Sequence, residues 1–262
     1  MKSIVITGST RGIGFGLADA FLAEGCRVVV NGRSQESVAH ALDLLCRDFD
    51  PGSIVGDSGD VSDSETHQAL WNASVAKFGQ VDIWINNAGL GQSTLLIWEL
   101  PVETVHKIID INIKGLVFGS QVAVRGMLEQ GFGHIYNMEG FGSTGRMRAG
   151  ISLYGTTKAA VNYFSNALTM ETQDTPVKVS TLRPGMVITD MVIGQYEDDP
   201  QGLEEVKKIL NTIGDRVETV TPWLVDQMLQ NGKAGAKISW LTPAKLMVRF
   251  ATARFNQRDL FS

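Results

Sequence analysis

Apolar residues fall in short unbroken runs separated by stretches of helical period, beginning with Ser3-Ile4-Val5-Ile6-Thr7-Gly8. Runs of Val and Ile without polar alternation predict strands buried on both faces. Arg27–Asn31, Ile54-Val55, Val81–Asn86, His134–Met138, Lys178–Leu182 and Ala236–Trp240 are of the same kind. Between the first two, Phe15, Leu17, Ala18, Phe21 and Leu22 recur at helical spacing. Similar spacing predicts helices over about 35–49, 64–78, 102–129, 203–213 and 218–230. Strand and helix alternate, and right-handed crossovers then give an α/β fold, a doubly wound parallel (Rossmann) sheet. No linker or repeat interrupts it, so a single domain spans 1–262. Its pattern loosens at the polar run Gln195–Gly202, which marks 190–235 as a substrate lid and 241–262 as a C-terminal tail.

Composition narrows the class. Across 262 residues, 44% are hydrophobic and 19% charged, enough for a core and too few charges for disorder. The net charge of −5, with no basic block, argues against nucleic acid as a partner. Cys26 and Cys46 are the only cysteines, so no disulfide framework is expected and a reducing compartment is. Ile4-Val5-Ile6 is far too short for a signal peptide or a membrane span, so the chain reads as soluble and cytoplasmic, without a transit peptide. His40, His67, His106 and His134 show no metal-ligand spacing, and no metal is expected.

Two stretches carry candidate chemistry. Gly8-Ser9-Thr10-Arg11-Gly12-Ile13-Gly14 sits between the first strand and the first helix, where backbone N–H groups and the helix dipole can hold a pyrophosphate. A Cβ at those glycines would block the phosphate or strain the turn. The second strand ends in Asn31-Gly32-Arg33-Ser34, without the carboxylate that grips the ribose of NAD. Arg33 and Arg11 fit a 2′-phosphate instead, so NADPH (NADP+) is the expected cofactor, unless Arg33 is only a solvated turn residue. Further on, Tyr154 and Lys158 lie four apart on a helix carried forward by Val161, Phe164 and Leu168. A Lys ammonium beside a phenol favours phenolate and is expected to draw the Tyr154 pKa down, making it a proton donor for a carbonyl under reduction. Two ordinary surface residues would show the same spacing.

With these residues placed, the chain resembles the short-chain dehydrogenase/reductases over about residues 3–190. The resemblance rests on T-G-x-x-x-G-x-G at 7–14, Asp60-Val61, Asn86-Asn87-Ala88-Gly89, Asn112, Tyr154-x-x-x-Lys158 and Pro184-Gly185-x-Val187-x-Thr189. It implies that Asp60 and Val61 hold the adenine and that Asn87, Ala88 and Gly89 support the sheet beside the cofactor. Tyr154 is then the proton donor, and Lys158 binds the nicotinamide ribose and depresses the Tyr154 pKa. Asn112 holds a water in the proton relay, and Pro184, Gly185, Val187 and Thr189 bind the nicotinamide end. Asp60 as a helix cap and Asn112 satisfying backbone are the plain alternatives. The family's catalytic Ser, in an Asn-x-Ser-Ser pattern, is missing from Asn137-Met138-Glu139-Gly140. Gly140 takes its position, and Ser143 is the candidate replacement or a mere turn residue.

The string His134–Ser143 looks like the same loop in plant chlorophyll b reductases, the non-yellow-colouring enzymes, where it reads much like H-I-F-N-M-D-G-A-G-S. Trp84–Gly89, Pro184–Asp190 and Trp240-Leu241-Thr242-Pro243 agree as well. This likeness implies hydride transfer to the 7-formyl group of chlorophyll b or chlorophyllide b. A short-chain reductase for another aldehyde, ketone or secondary alcohol, and a non-catalytic NADP(H)-binding regulator, are the alternatives. Leu95, Leu96, Trp98, Met191, Val192, Ile193 and Tyr196 are candidates for an apolar opening. The basic amphipathic stretch Leu241–Phe255, with Lys245, Arg249 and Arg254, suits either packing in a homo-oligomer, the favoured reading, or peripheral contact with a membrane.

Overall fold

The structure, a computed structural model, describes residues 1–196, 200–253 and 258–261. In chain order its elements are β1 (Ser3–Ile6), α1 (Gly12–Ala23), β2 (Arg27–Gly32), α2 (Gln35–Leu45), β3 (Ile54–Ser58), α3 (Ser64–Phe78), β4 (Ile83–Asn86) and α4 (Val102–Ile109). They continue as α5 (Gly115–Gln130), β5 (Gly133–Met138), α6 (Ser152–Glu171), β6 (Val177–Arg183), α7 (Asp190–Ile193), α8 (Pro200–Ile213), α9 (Val217–Gln230), β7 (Lys237–Ser239) and α10 (Pro243–Thr252). Among the described residues the strands form one parallel seven-stranded sheet in the order β3-β2-β1-β4-β5-β6-β7. This is the expected doubly wound sheet. The order reverses between β1 and β4, and the crevice there, outside the carboxyl ends of the strands, is where such sheets bind ligands.

Both faces of the sheet are covered, which is why its strands read as unbroken apolar runs. Ile4, Ile6, Val28 and Val30 point to α1 and α9, while Val5, Val29, Trp84 and Ile135 point to α3 and α5. A polar ladder crosses that second layer. Trp84 Nε1 donates to Asn86 Oδ1 (2.8 Å), Asn86 Nδ2 donates to Asn137 Oδ1 (2.8 Å) and Ser120 Oγ (3.0 Å), and Asn137 Nδ2 donates to Ser165 Oγ (2.9 Å). Each buried amide is thereby satisfied, so the ladder fixes β4 and β5 against α5 and α6 without leaving an unpaired group.

Two departures from the sequence expectations matter for the site. The single helix expected over 102–129 is broken into α4 and α5 by a π-helical turn, Asp110–Lys114. The wide turn places Asn112 inward, 2% exposed, and such turns favour functional positions. In the stretch 190–235, α9 belongs to the main core through Val220, Leu224, Val225 and Met228. The part with a small core of its own is 190–213, where Tyr196, Val206 and Leu210 pack with Met186, Ile188, Val192 and Leu203. Glu197–Asp199, Arg254 and Phe255 lie outside the described residues.

Candidate active site

The phosphate loop is built by backbone shape. Gly8 (φ 61°) and Gly12 (φ 56°) take left-handed conformations that other residues resist. A Cβ on Gly14 would lie 2.3 Å from Gly8 O and 2.5 Å from Asn87 Nδ2. The loop therefore closes on the β4 end, where Asn87 Nδ2 donates to Thr7 O (2.9 Å) and Gly8 O (3.0 Å). Thr7 Oγ1 accepts from the N–H groups of Asn87 (3.0 Å) and Ala88 (3.1 Å). Arg11 precedes α1 without a side-chain cap, which leaves the first-turn N–H groups of Gly12, Ile13 and Gly14 directed out of the helix end. That is a cradle of donors with no Cβ in the way. It fits a dinucleotide pyrophosphate.

Several expected contacts turn out to be internal. Ser9 Oγ donates to Ile6 O (2.7 Å) and accepts from Asn31 N (2.9 Å). Asn31 is 1% exposed, accepts from Gly8 N through Oδ1 (3.0 Å) and donates to Gly59 O (3.3 Å), so its side chain braces the loop from behind. Gly32 is the more informative residue: a Cβ there would meet Thr10 Cγ2 at 2.4 Å and Ser37 Oγ at 2.8 Å. A ribose-gripping carboxylate could stand at that position only if Thr10 and Ser37 shifted. Arg33 is exposed, and Arg11, exposed too, makes only a loose pair with Asp190 at 4.0 Å. Asp60 holds Ser62 N through Oδ1 (2.8 Å) while Asp63 caps α3, and Val61 is buried against Gly115. Thr189 lies across from Gly12, with Cγ2 3.5 Å from where a Cβ would be. Gly185 (φ 79°) turns the chain after Pro184, and Val187 pairs with Asp215.

The Tyr154–Lys158 pair meets the loops after β4 and β5. Lys158, 6% exposed, donates from Nζ to Met138 O (3.1 Å) and stands 5.8 Å from the Tyr154 ring centre. Gly89 adjoins it, since a Cβ there would be 3.6 Å from Nζ. Burial pushes the Tyr154 hydroxyl up to about 12 and Lys158 down to about 8, the Glu139 charge opposing the second shift. The expected depression of the Tyr154 pKa is therefore not what this arrangement produces. The ammonium is turned to the Met138 carbonyl, and desolvation sets the direction of the phenol's shift.

Asn112 reaches this cluster by its side chain. It accepts from Leu90 N (2.7 Å) and donates to Leu90 O (3.0 Å) and Thr157 Oγ1 (3.0 Å), so the amide itself is fully used in joining the β4 loop to α6. Gly140 sits under Tyr154: a Cβ at 140 would lie 2.5 Å from the Tyr154 hydroxyl. Ser143, 8% exposed, bonds the Glu139 carboxylate, not the phenol. Glu139 is 2% exposed and also accepts from both Arg183 Nε and Nη2 (the latter 3.2 Å) and from Asn162 Nδ2 (3.1 Å). Burial alone would raise Glu139, but these hydrogen bonds outweigh it and hold the carboxyl below its usual range.

Sequence reasoning missed Gln92, Asn162 and Arg183. Gln92, 1% exposed, donates to Gly150 O (2.8 Å) and Leu95 O (3.2 Å) and accepts from Tyr154 N (3.0 Å), tying two loops to the first turn of α6. No local pattern marks a lone Gln as such a strut. The two loops it joins carry exposed apolar residues: Leu95, Leu96, Ile97 and Trp98 on one, Phe141 and Met147 on the other. Trp98 is 77% and Met147 93% exposed. Met191 is exposed on α7 beyond them, and Tyr196 is buried, its hydroxyl accepting from Arg148 (3.2 Å).

With fold and site described, comparison with known proteins gives the class. A family model described as short chain dehydrogenase matches residues 2–200. The chain belongs to the short-chain dehydrogenase/reductase family of oxidoreductases. It is 33% identical over 268 residues to "Probable chlorophyll(ide) b reductase NYC1, chloroplastic" of Oryza sativa subsp. japonica, covering 96% of this chain and 52% of that protein. It is 34% identical over 228 residues to "Chlorophyll(ide) b reductase NOL, chloroplastic" of the same plant, covering 85% and 65%. The chain thus spans between about half and two thirds of the length of these relatives. Among solved structures, the closed form of serine dehydrogenase complexed with NADP+ superposes with a TM-score of 0.80 at 27% identity, covering 92% of this chain and 95% of that one. No described helix is long and apolar enough to cross a membrane.

Proposed function

We propose that the chain is an NADPH-dependent carbonyl reductase acting on the 7-formyl group of chlorophyll b or chlorophyllide b, giving the 7-hydroxymethyl product. The observation that carries the substrate is the set of exposed apolar residues, Leu95–Trp98 with Phe141 and Met147, on the two loops that Gln92 ties to the first turn of the Tyr154 helix. An exposed patch of this kind marks a surface built to meet something apolar, and a chlorin ring is wide and apolar. The relatives' names and the Asn137–Ser143 loop support the same choice. For the cofactor, exposed Arg33 and Arg11 and the absence of a carboxylate at Gly32, where Thr10 and Ser37 crowd any side chain, favour a 2′-phosphate.

The bound reduced nicotinamide would supply the hydride. The chain's own residues do the rest. The phosphate loop would hold the pyrophosphate in the middle of the dinucleotide and Thr189 its nicotinamide end, while Lys158 would orient the ribose beside Tyr154. As the carbonyl oxygen gains negative charge, Tyr154 gives it the phenolic proton, forming the O–H of the product alcohol. A phenol held near 12 is fully protonated at neutral pH, as a donor must be. Lys158, near 8, is still mostly cationic there and stabilises the phenolate left behind. Ser143 interacts with the Glu139 carboxylate, so on this reading the substrate oxygen is left to Tyr154.

Purified chain incubated with NADPH and chlorophyll b should form 7-hydroxymethyl pigment. NADPH oxidation with simple ketones or aldehydes but not with the pigment would assign the chain to another substrate. Tight NADPH binding with no turnover on any carbonyl would leave a regulator.

A further inference from the structure

The carboxylate of Glu139 is the most deeply placed charge near the site, and the mechanism above leaves it unused. Its side chain has no exposed surface. It stands one residue after the carbonyl that Lys158 grips and one before Gly140, over which the Tyr154 hydroxyl lies. Arg183 reaches it from the end of β6 through two N–H groups, Asn162 from the next turn of α6 (3.1 Å) and Ser143 from the following loop. Arg183 is followed at once by Pro184 and Gly185. One carboxylate thus joins three segments of the site: the loop after β5, the helix of Tyr154 and Lys158, and the β6 end.

A buried ion pair is a poor device for stability alone, because desolvation offsets most of the attraction. A fully satisfied buried polar network does rigidify the segments it joins. We propose that Glu139 is a positioning residue: it locks the β6 end to the helix bearing Tyr154 and Lys158 and, standing next to the Met138 carbonyl that Lys158 grips, keeps a negative charge by that ammonium. The titratable groups facing Lys158 are Glu139 from the β5 end and Tyr154 from its own helix; Asn112 on the π turn and Gly89 on the β4 loop are neutral. Arg183 is the cation on the far side of Glu139. Taking the negative charge away leaves Lys158 desolvated with no compensation, so its ammonium gives up a proton at lower pH. The role of Lys158 in turnover rests on the proposed function; its charge state does not.

The test is a pH titration of the lysine side-chain NMR signals, with Lys158 assigned by Lys158→Arg, in the wild type and in Glu139→Gln. The Lys158 transition should move to lower pH by about half a unit or more in Glu139→Gln. It should stay near the wild-type position in Glu139→Asp, which keeps the charge. The high-pH limb of kcat should follow the same order. Should Glu139→Gln not fold, the double change Glu139→Gln with Arg183→Met removes both buried charges together, the better tolerated route, and the Lys158 transition should again move down, by less, because the Arg183 cation beyond Glu139 goes too. An unmoved Lys158 transition in a folded variant overturns the proposal, whatever happens to kcat. Because the titration needs no substrate, a chain that reduces no carbonyl would sink the proposed function without touching this result.

Discussion

The hydroxyl of Tyr154 occupies the space that a side chain at residue 140 would need, 2.5 Å from where a Gly140 Cβ would lie. With only hydrogen on the Gly140 Cα, the phenol lies directly over the backbone there. Gly140→Ser should therefore not restore an ordinary site. Overpacking of this kind costs about 1–3 kcal/mol, so turnover should fall roughly tenfold or more as the phenol is pushed aside. A Gly140→Ser enzyme with raised kcat would show that the phenol moves freely, against this reading.

Tyr154→Phe removes the proposed proton donor and almost nothing else. Turnover should drop by about 10²–10⁴-fold, the range of general acid catalysis, while NADPH affinity measured by fluorescence titration stays within about twofold. Unchanged turnover would rule the phenol out of the reaction.

Arg33→Asp should weaken NADPH about 10- to 100-fold, the loss of one charge-assisted contact to a phosphate, and leave NADH little affected. Equal KM changes for both nucleotides would mean that Arg33 does not meet the 2′-phosphate.

His134 gives a stability prediction independent of function. Its ring stacks on Tyr136 at 4.2 Å and hydrogen-bonds Ser180 Oγ (2.8 Å). Burial, helped by Lys178 and Lys2, pushes its pKa down from 6.5 to about 3. The folded chain then keeps His134 neutral where the unfolded chain takes up a proton, so stability is full above pH 6.5 and declines as pH falls toward 3. The loss by pH 5 is about 2 kcal/mol from this residue, and His67, lowered by burial as well, adds to it in the same direction. Urea unfolding at pH 7 and pH 5 measures the difference. His134→Gln should flatten the dependence, and an equally steep loss in that variant would assign it elsewhere.

The elements with a long, repeated signal were plain in the sequence. Unbroken Val/Ile runs in β1, β2 and β5 announced strands covered on both sides, and the Gly8–Gly14 spacing announced a close approach that only glycine backbone allows. The break between α4 and α5 was hidden, because a π turn adds one residue to a helix without disturbing its apolar spacing enough to read. Gln92, Asn162 and Arg183 were hidden for another reason: their partners, Tyr154 and Glu139, lie 62, 23 and 44 positions away. Nothing within a window of sequence marks such a contact.

By itself the chain's order of residues determined the parallel α/β sheet, the nucleotide loop and the helical pairing of Tyr154 with Lys158, since each depends on neighbours within a turn or a strand. Only the tertiary structure decided how those groups are charged and occupied. Asn31 faces inward, Ser143 serves Glu139, and burial raises Tyr154 where a nearby cation was expected to lower it. The cause is physical: desolvation and hydrogen bonding depend on which distant segments close over a side chain, and that is a property of the packed molecule.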